Sequence, residues 1–175
     1  RDCLGWSVLY GALSAYHISR KLSKWVIPDK YYAAFPYGVY DPDVLRTHRK
    51  KISSKERFTL TWGGRTVKDG EYLGFTFDVE DFKACRKHVR DESLNYRDHN
   101  GEILPLEKRY SARNFSLDKV FEKVIIDIRT AVPADDYHRV DSWSAYREYM
   151  RTNNNLIKPE RMKYNEWNPI GYDGE

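Results

Sequence analysis

The five histidines, His17, His48, His88, His99 and His138, are the side chains best suited to move a proton near neutral pH. None belongs to a recognised metal-ligand motif, and the one loose group of acids is around His138. There the stretch "DDYHRVD" sets Asp135, Asp136 and Asp141 about the imidazole, the ingredients of a cation site or a general base. The same composition describes an exposed polar loop between two helices, which is the commoner outcome. Chemistry here would make the chain a small hydrolase or nuclease working through Asp135, Asp136 and His138. No G-x-x-x-x-G-K, G-x-G-x-x-G, H-E-x-x-H, G-x-S-x-G or C-x-x-C motif occurs. Acid pairs such as Glu80-Asp81 carry no catalytic inference without a base or a pocket. Two cysteines, Cys3 and Cys85, are too few for a disulfide framework or a zinc site. The expectation is therefore a protein that is not an enzyme, with no cofactor and no metal.

Binding chemistry is better represented. The densest basic stretch is "RTHRKKISSKER", where Arg46, Arg49, Lys50, Lys51, Lys55 and Arg57 face one acid, Glu56. Such a cluster suits nucleic-acid phosphates or anionic lipid head groups, and equally a solvated helix face. The net charge of +4 permits either ligand without demanding it. The strands nearby, "FTLTW" and "YLGFTF", lack the basic-Gly-aromatic signature of an RNA-recognition sheet. Nucleic acid is therefore the second reading, as in a component of an organellar ribosome.

These residues must be held by a fold. At 175 residues, 41% hydrophobic and 15% aromatic, the chain has room and apolar content for one packed domain with an appendage. Its 14 tyrosines suit half-buried surfaces and subunit contacts. The opening run "CLGWSVLYGALSAYHIS" holds no formal charge. As a helix it is apolar on every side, which means deep burial or a membrane. Seventeen residues reach ~25 Å, short of a bilayer core, but Arg20 and Lys21 extend the span by snorkelling. Ser7, Gly11 and Ala15 stand four apart and form a small-residue ridge for helix-helix packing. Trp6, Tyr16 and Trp25 suit interfacial anchoring, and Arg20, Lys21 and Lys24 form a basic flank. These features predict a single transmembrane helix within residues 1–27; the alternative is a buried helix of a globular body.

"VIPDKYYAAFPYGVYDPD" follows, broken by Pro28, Pro36 and Pro42. Residues 28–41 read as an extended connector whose Tyr31, Tyr32, Phe35 and Tyr37 dock on a neighbour. Residues 42–152 read as a small α+β body of antiparallel hairpins packed with amphipathic helices. Asp41-Pro42 opens a helix through Ile52 with Val44, Leu45, His48 and Ile52 on one side. Strands at Phe58–Trp62 and Tyr72–Phe77 turn through Gly63-Gly64 and Asp69-Gly70 into a meander. Asp78 caps a helix with Phe82, Cys85 and Val89 on one face, and Asn100-Gly101 turns a second hairpin. Ser116 caps a predicted long helix over 117–132, and "DSWSAYREYMRT" is a shorter amphipathic one. Residues 153–175 form an aromatic tail that docks through Tyr164, Trp167 and Tyr172.

In layout, though not in any motif, the chain resembles single-span accessory subunits of mitochondrial inner-membrane complexes. An Arg at position 1 in place of Met fits removal of a targeting segment. The resemblance implies a non-catalytic subunit of a respiratory complex or ATP synthase. Its helix would pack through Ser7, Gly11 and Ala15 against other subunits. Arg20, Lys21, Lys24, Arg46, Arg49, Lys50 and Lys51 would meet anionic lipid such as cardiolipin or phosphate.

Overall fold

The structure, a computed structural model, describes residues 4–22, 28–109 and 115–153. The chain divides into two compact units, Arg1–Asp141 and Ser142–Glu175. The first opens with α1, Leu4–Lys21. Next come β1 (Lys30–Ala33), β2 (Gly38–Val39), and the short helices α2 (Asp43–Thr47) and α3 (Arg49–Ser53). β3 (Leu60–Thr61), β4 (Phe75–Asp78) and α4 (Val79–Leu94) follow. A four-residue α5 (Leu117–Val120), β5 (Val132–Pro133) and β6 (His138–Arg139) complete the unit. The second unit contains α6, Trp143–Thr152, capped by the Ser142 side chain accepting the Ala145 N–H.

The fold is a small α+β one, and the transmembrane helix is not part of it. No described helix is long and apolar enough to cross a membrane. α1 ends in Arg20 and Lys21 and carries Ser7, Ser14, His17 and Ser19 among its apolar residues. One of its faces, Gly5, Leu9 and Ala12, is buried in the chain's own core. Gly5 makes this possible: a Cβ there would stand 2.9 Å from Val120 Cβ, so only a glycine lets α1 come this close to α5. The uncharged run is thus a body helix, the alternative that its composition left open.

The strands do not form the expected meander of hairpins. β1 pairs antiparallel with β4, β2 antiparallel with β6, and β3 parallel with β5, giving three separate two-stranded sheets. Residues 58–60 and 74–76 do meet: Leu60 N–H donates to Gly74 O at 2.8 Å and Thr76 N–H to Phe58 O at 2.7 Å. Between them Trp62 and Arg65 exchange hydrogen bonds across Gly63-Gly64, both glycines with positive φ. Gly101, also at positive φ, turns the small Arg97–Ile103 bridge.

The β1/β4 ribbon divides two hydrophobic cores through the two-residue period of a strand. Ala33, Phe75 and Phe77 enter a core with Leu9, Phe35, Phe82, Cys85, Val89, Val120 and Phe121. Tyr32, on the other face, packs with Phe58, Leu60, Leu73, Val132, Ala134 and Tyr137, against which Val44, Leu45 and Ile52 also lie. Residues 28–41 are therefore woven into the first unit as β1 and β2.

The predicted helix over 117–132 stops at Val120. Phe121 and Val124 are buried, but Ile125 and Ile128 are 64% and 51% exposed. The Ile125 N–H donates to Asp81 Oδ1 at 3.2 Å, so a side chain of α4 has taken the donor that a continuing helix would use. The β-branched Val-Ile-Ile run offers little propensity to resist this.

Candidate functional site

α4 is anchored at its N-terminus by a capping box. Its N-cap Asp78 accepts the N–H groups of Glu80 and Asp81 through Oδ1, both at 2.9 Å, and Asp81 Oδ2 accepts the Asp78 N–H. Arg57 closes the motif. Its Nη2 donates to Asp78 Oδ2 at 2.8 Å, and its Nη1 pairs with Asp81 Oδ2. This Arg57–Asp78 pair lines a cleft of about 730 Å³ with Asp29, Lys30, Ser53, Ser54, Lys55 and Thr76. The charged groups in the cleft are largely engaged in holding the fold. Lys30 Nζ donates to Ser54 O at 2.6 Å and Glu56 O at 2.7 Å, tying down the end of α3. Burial lowers the Lys30 ammonium below its ordinary value, against the opposing charge of Glu56. The Thr76 hydroxyl donates to Phe58 O and accepts the Phe58 N–H.

The acidic group around His138 is dispersed. Asp135, Asp136 and His138 are exposed, and Asp136 Oδ2 accepts the Asp41 N–H at 2.6 Å. Asp141 pairs with Arg139. Among the described residues no three His, Cys, Asp or Glu side chains converge to hold a metal.

The basic stretch is split by function. Arg46 pairs with Asp43 at 2.7 Å, Lys51 Nζ donates to Thr130 O at 2.8 Å, and Arg57 is committed to α4. Arg49 and Lys50 are exposed on α3. Arg20 and Lys21 are exposed at the end of α1, with the Arg20 guanidinium 5.7 Å from the Tyr16 ring centroid. Lys24, Tyr164, Trp167 and Tyr172 lie outside the described residues.

Of the connector aromatics, Phe35 is 5% exposed, with its ring against Phe75, Tyr72 and Phe121. It belongs to the chain's own core, and no partner can reach it. Tyr31 stacks on Phe77 and Tyr32 packs against Phe58, both half-buried. Tyr37 remains 42% exposed.

Ser7 and Gly11 are exposed and Ala15 half-buried on α1, turned from the face that Gly5, Leu9 and Ala12 bury. Apart from the adjoining residues and backbone of α1 itself, no atom of a described residue lies within 4 Å of where a Gly11 Cβ would stand, and Tyr10, Ser14 and Ile18 are exposed beside it. This outer face carries no formal charge from Leu4 to Ser19.

Two features of the site carry a sequence signal beyond the expectations above. Asp81 stands three residues after the cap Asp78, the spacing of a capping box, which gives the Glu80-Asp81 pair a structural role. The α4 cations Lys83, Arg86, Lys87 and Arg90 share one exposed face, and their spacing of three and four residues is the signal that would have gathered them. No protein-family model, curated protein or solved structure matches this chain.

Proposed function

We propose that the chain is a non-catalytic accessory subunit of a larger protein assembly, docked through the outer face of α1. The observation that carries this reading is the absence of charge on that face over residues 4–19, while the opposite face is already packed on the body. A helix exposed to water in a free monomer ordinarily carries charged and polar residues outward. Here the outer face offers Ser7, Tyr10, Gly11, Ser14 and Ile18. Small residues at Ser7, Gly11 and Ala15 admit the backbone of a partner helix at close range, and Tyr10 supplies an amphipathic rim. The commitment of Lys30, Arg57, Asp78 and Asp81 to structural contacts supports the non-catalytic part of the reading. Such a subunit does not require a membrane: the inner-membrane placement expected from layout leaned on a spanning helix.

The test is a pair of measurements on the full chain, tagged in its native cells. Wild type should elute within an assembly well above the 20.8 kDa of the chain. A photo-crosslinker at Tyr10 should label one discrete partner, and Gly11→Leu should abolish both results without lowering the melting temperature of the purified protein. Elution of the wild-type chain as a free monomer would remove the proposal.

A further inference from the structure

The face of α4 opposite the core bears Lys83, Arg86, Lys87 and Arg90, all exposed, at spacings of three, four and seven residues. They form a row about 10 Å long. A groove of about 400 Å³ runs along it, floored by Phe82 and lined by these four cations. Lys83 is paired with Glu80 at 2.8 Å, and Arg90 stands 3.6 Å from Asp91; the side chains of Arg86 and Lys87 form no hydrogen bond or ion pair with a described residue. At one end the row meets a narrower pocket of about 170 Å³ between α1 and α4. Phe82, Lys83 and Arg86 line both spaces. The pocket's walls are otherwise mostly apolar and aromatic, from Ala12, Leu13, Tyr16, Tyr31 and Val79, with His17 at the rim.

Tyr31 lines this pocket while its ring stacks on Phe77, and its hydroxyl is buried away from solvent, so the residue meets the pocket as an aromatic wall.

We infer that this face binds single-stranded nucleic acid, with one base in the α1–α4 pocket and the adjoining phosphates along the α4 row. A planar base needs an apolar, aromatic-walled slot of about this size, and stacking is indifferent to sequence. The row reaches about three phosphates at roughly 3.4 Å per nucleotide of a stacked strand. Arg20, held near Tyr16, extends the positive field past the pocket. A bilayer would be met differently. It would require apolar side chains projecting beyond the cations. On this face the exposed residues from 83 to 90 are the four cations and Ala84, and the apolar surface is recessed. This inference is independent of the docking role of the outer face of α1.

The experiment measures fluorescence anisotropy of labelled 12-nucleotide oligo(U) and oligo(dT) with the full chain. Parallel arms contain duplex RNA, poly-glutamate and vesicles with 30% anionic lipid. The expected result is binding of a single-stranded oligonucleotide with a Kd of about 1–100 μM and a salt dependence of about −0.7 per neutralised phosphate. The two single-stranded arms separate RNA from DNA. Charge reversal at two exposed positions, Arg86→Glu with Lys87→Glu, should weaken binding at least tenfold and flatten the salt slope by about 1 to 2. Three results would overturn the inference: no oligonucleotide binding at low salt, equal binding of poly-glutamate, or binding of anionic vesicles alone. Binding indifferent to the Arg86 and Lys87 reversals would overturn it too.

Discussion

Arg57 reaches Asp81, a carboxylate 3% exposed, and through it joins three segments of the chain. Asp81 also accepts the Ile125 N–H and the Asp78 N–H, so one side chain ends the α5 segment and starts α4. Without Asp81 the one-third-exposed Arg57 keeps Asp78, but the Ile125 and Asp78 N–H groups lose their acceptor. Asp81→Ala should cost about 1–3 kcal/mol, read by urea denaturation. Combined with Arg57→Leu, the loss should be smaller than the sum of the two single changes. Additive losses would show that the pair is not coupled.

Gly5 and Gly11 lie on different faces of α1 and should respond oppositely to the same side chain. Gly5→Leu forces a side chain into Val120 and should cost about 1–3 kcal/mol or more as overpacking. Gly11→Leu meets nothing within 4 Å and should melt at or above the wild-type temperature, since leucine is the better helix former. Thermal denaturation of the two variants side by side checks the orientation of α1; equal destabilisation would contradict it.

Tyr137 is held with its hydroxyl donating to Glu71 Oε2 at 3.2 Å and accepting the Tyr72 N–H at 3.0 Å. Burial pushes its phenol up to about 12 from the ordinary 10. Between those pH values the unfolded chain releases this proton first, so stability is full below pH 10 and falls as pH rises toward 12. Tyr137→Phe should lower stability at pH 8 by about 1–3 kcal/mol through the lost hydrogen bonds. The same variant should lose less than wild type between pH 8 and 11. Melting curves across that range give both numbers, and an identical alkaline slope in the variant would refute the assignment.

Cys85 is fully buried, and burial, reinforced by the Asp81 charge, pushes its thiol up to about 12. It should resist iodoacetamide at pH 8 in the native protein and react fully in urea, because the thiolate is the nucleophile. Peptide mass mapping of residue 85 reports this directly. Rapid native labelling would mean that α4 opens locally.

Local signals were readable where a few adjacent residues decide the structure. Asp78 as a cap and the Phe82-Cys85-Val89 face describe α4 correctly, and Gly63-Gly64 and Gly101 turn where their φ freedom is needed. α1 was harder because its apolar residues surround the axis. Periodicity then says nothing about which face is inside, and Gly5 rather than Gly11 proved to be the close approach. The strand partners were not legible because each lies far along the chain, with no local pattern to announce it. The long helix over 117–132 failed for a related reason: its stop comes from Asp81, a residue of another element. The α4 cation row was visible as spacing alone, but its adjacency to the Tyr16–Tyr31 pocket depends on how α1 lies on α4.

The three strand pairings set a demand on the order in which this protein acquires its shape. β2 must find β6, joining Val39 to His138, and β3 must find β5, joining Leu60 to Val132. Closing such long loops costs entropy before any contact repays it. During synthesis the second core therefore cannot close until the chain has passed Tyr137, and a truncation before Val132 would leave Phe58, Leu60 and Leu73 without their covering residues. The last residues of the first unit act as its latch, and the second core closes only once they have been made.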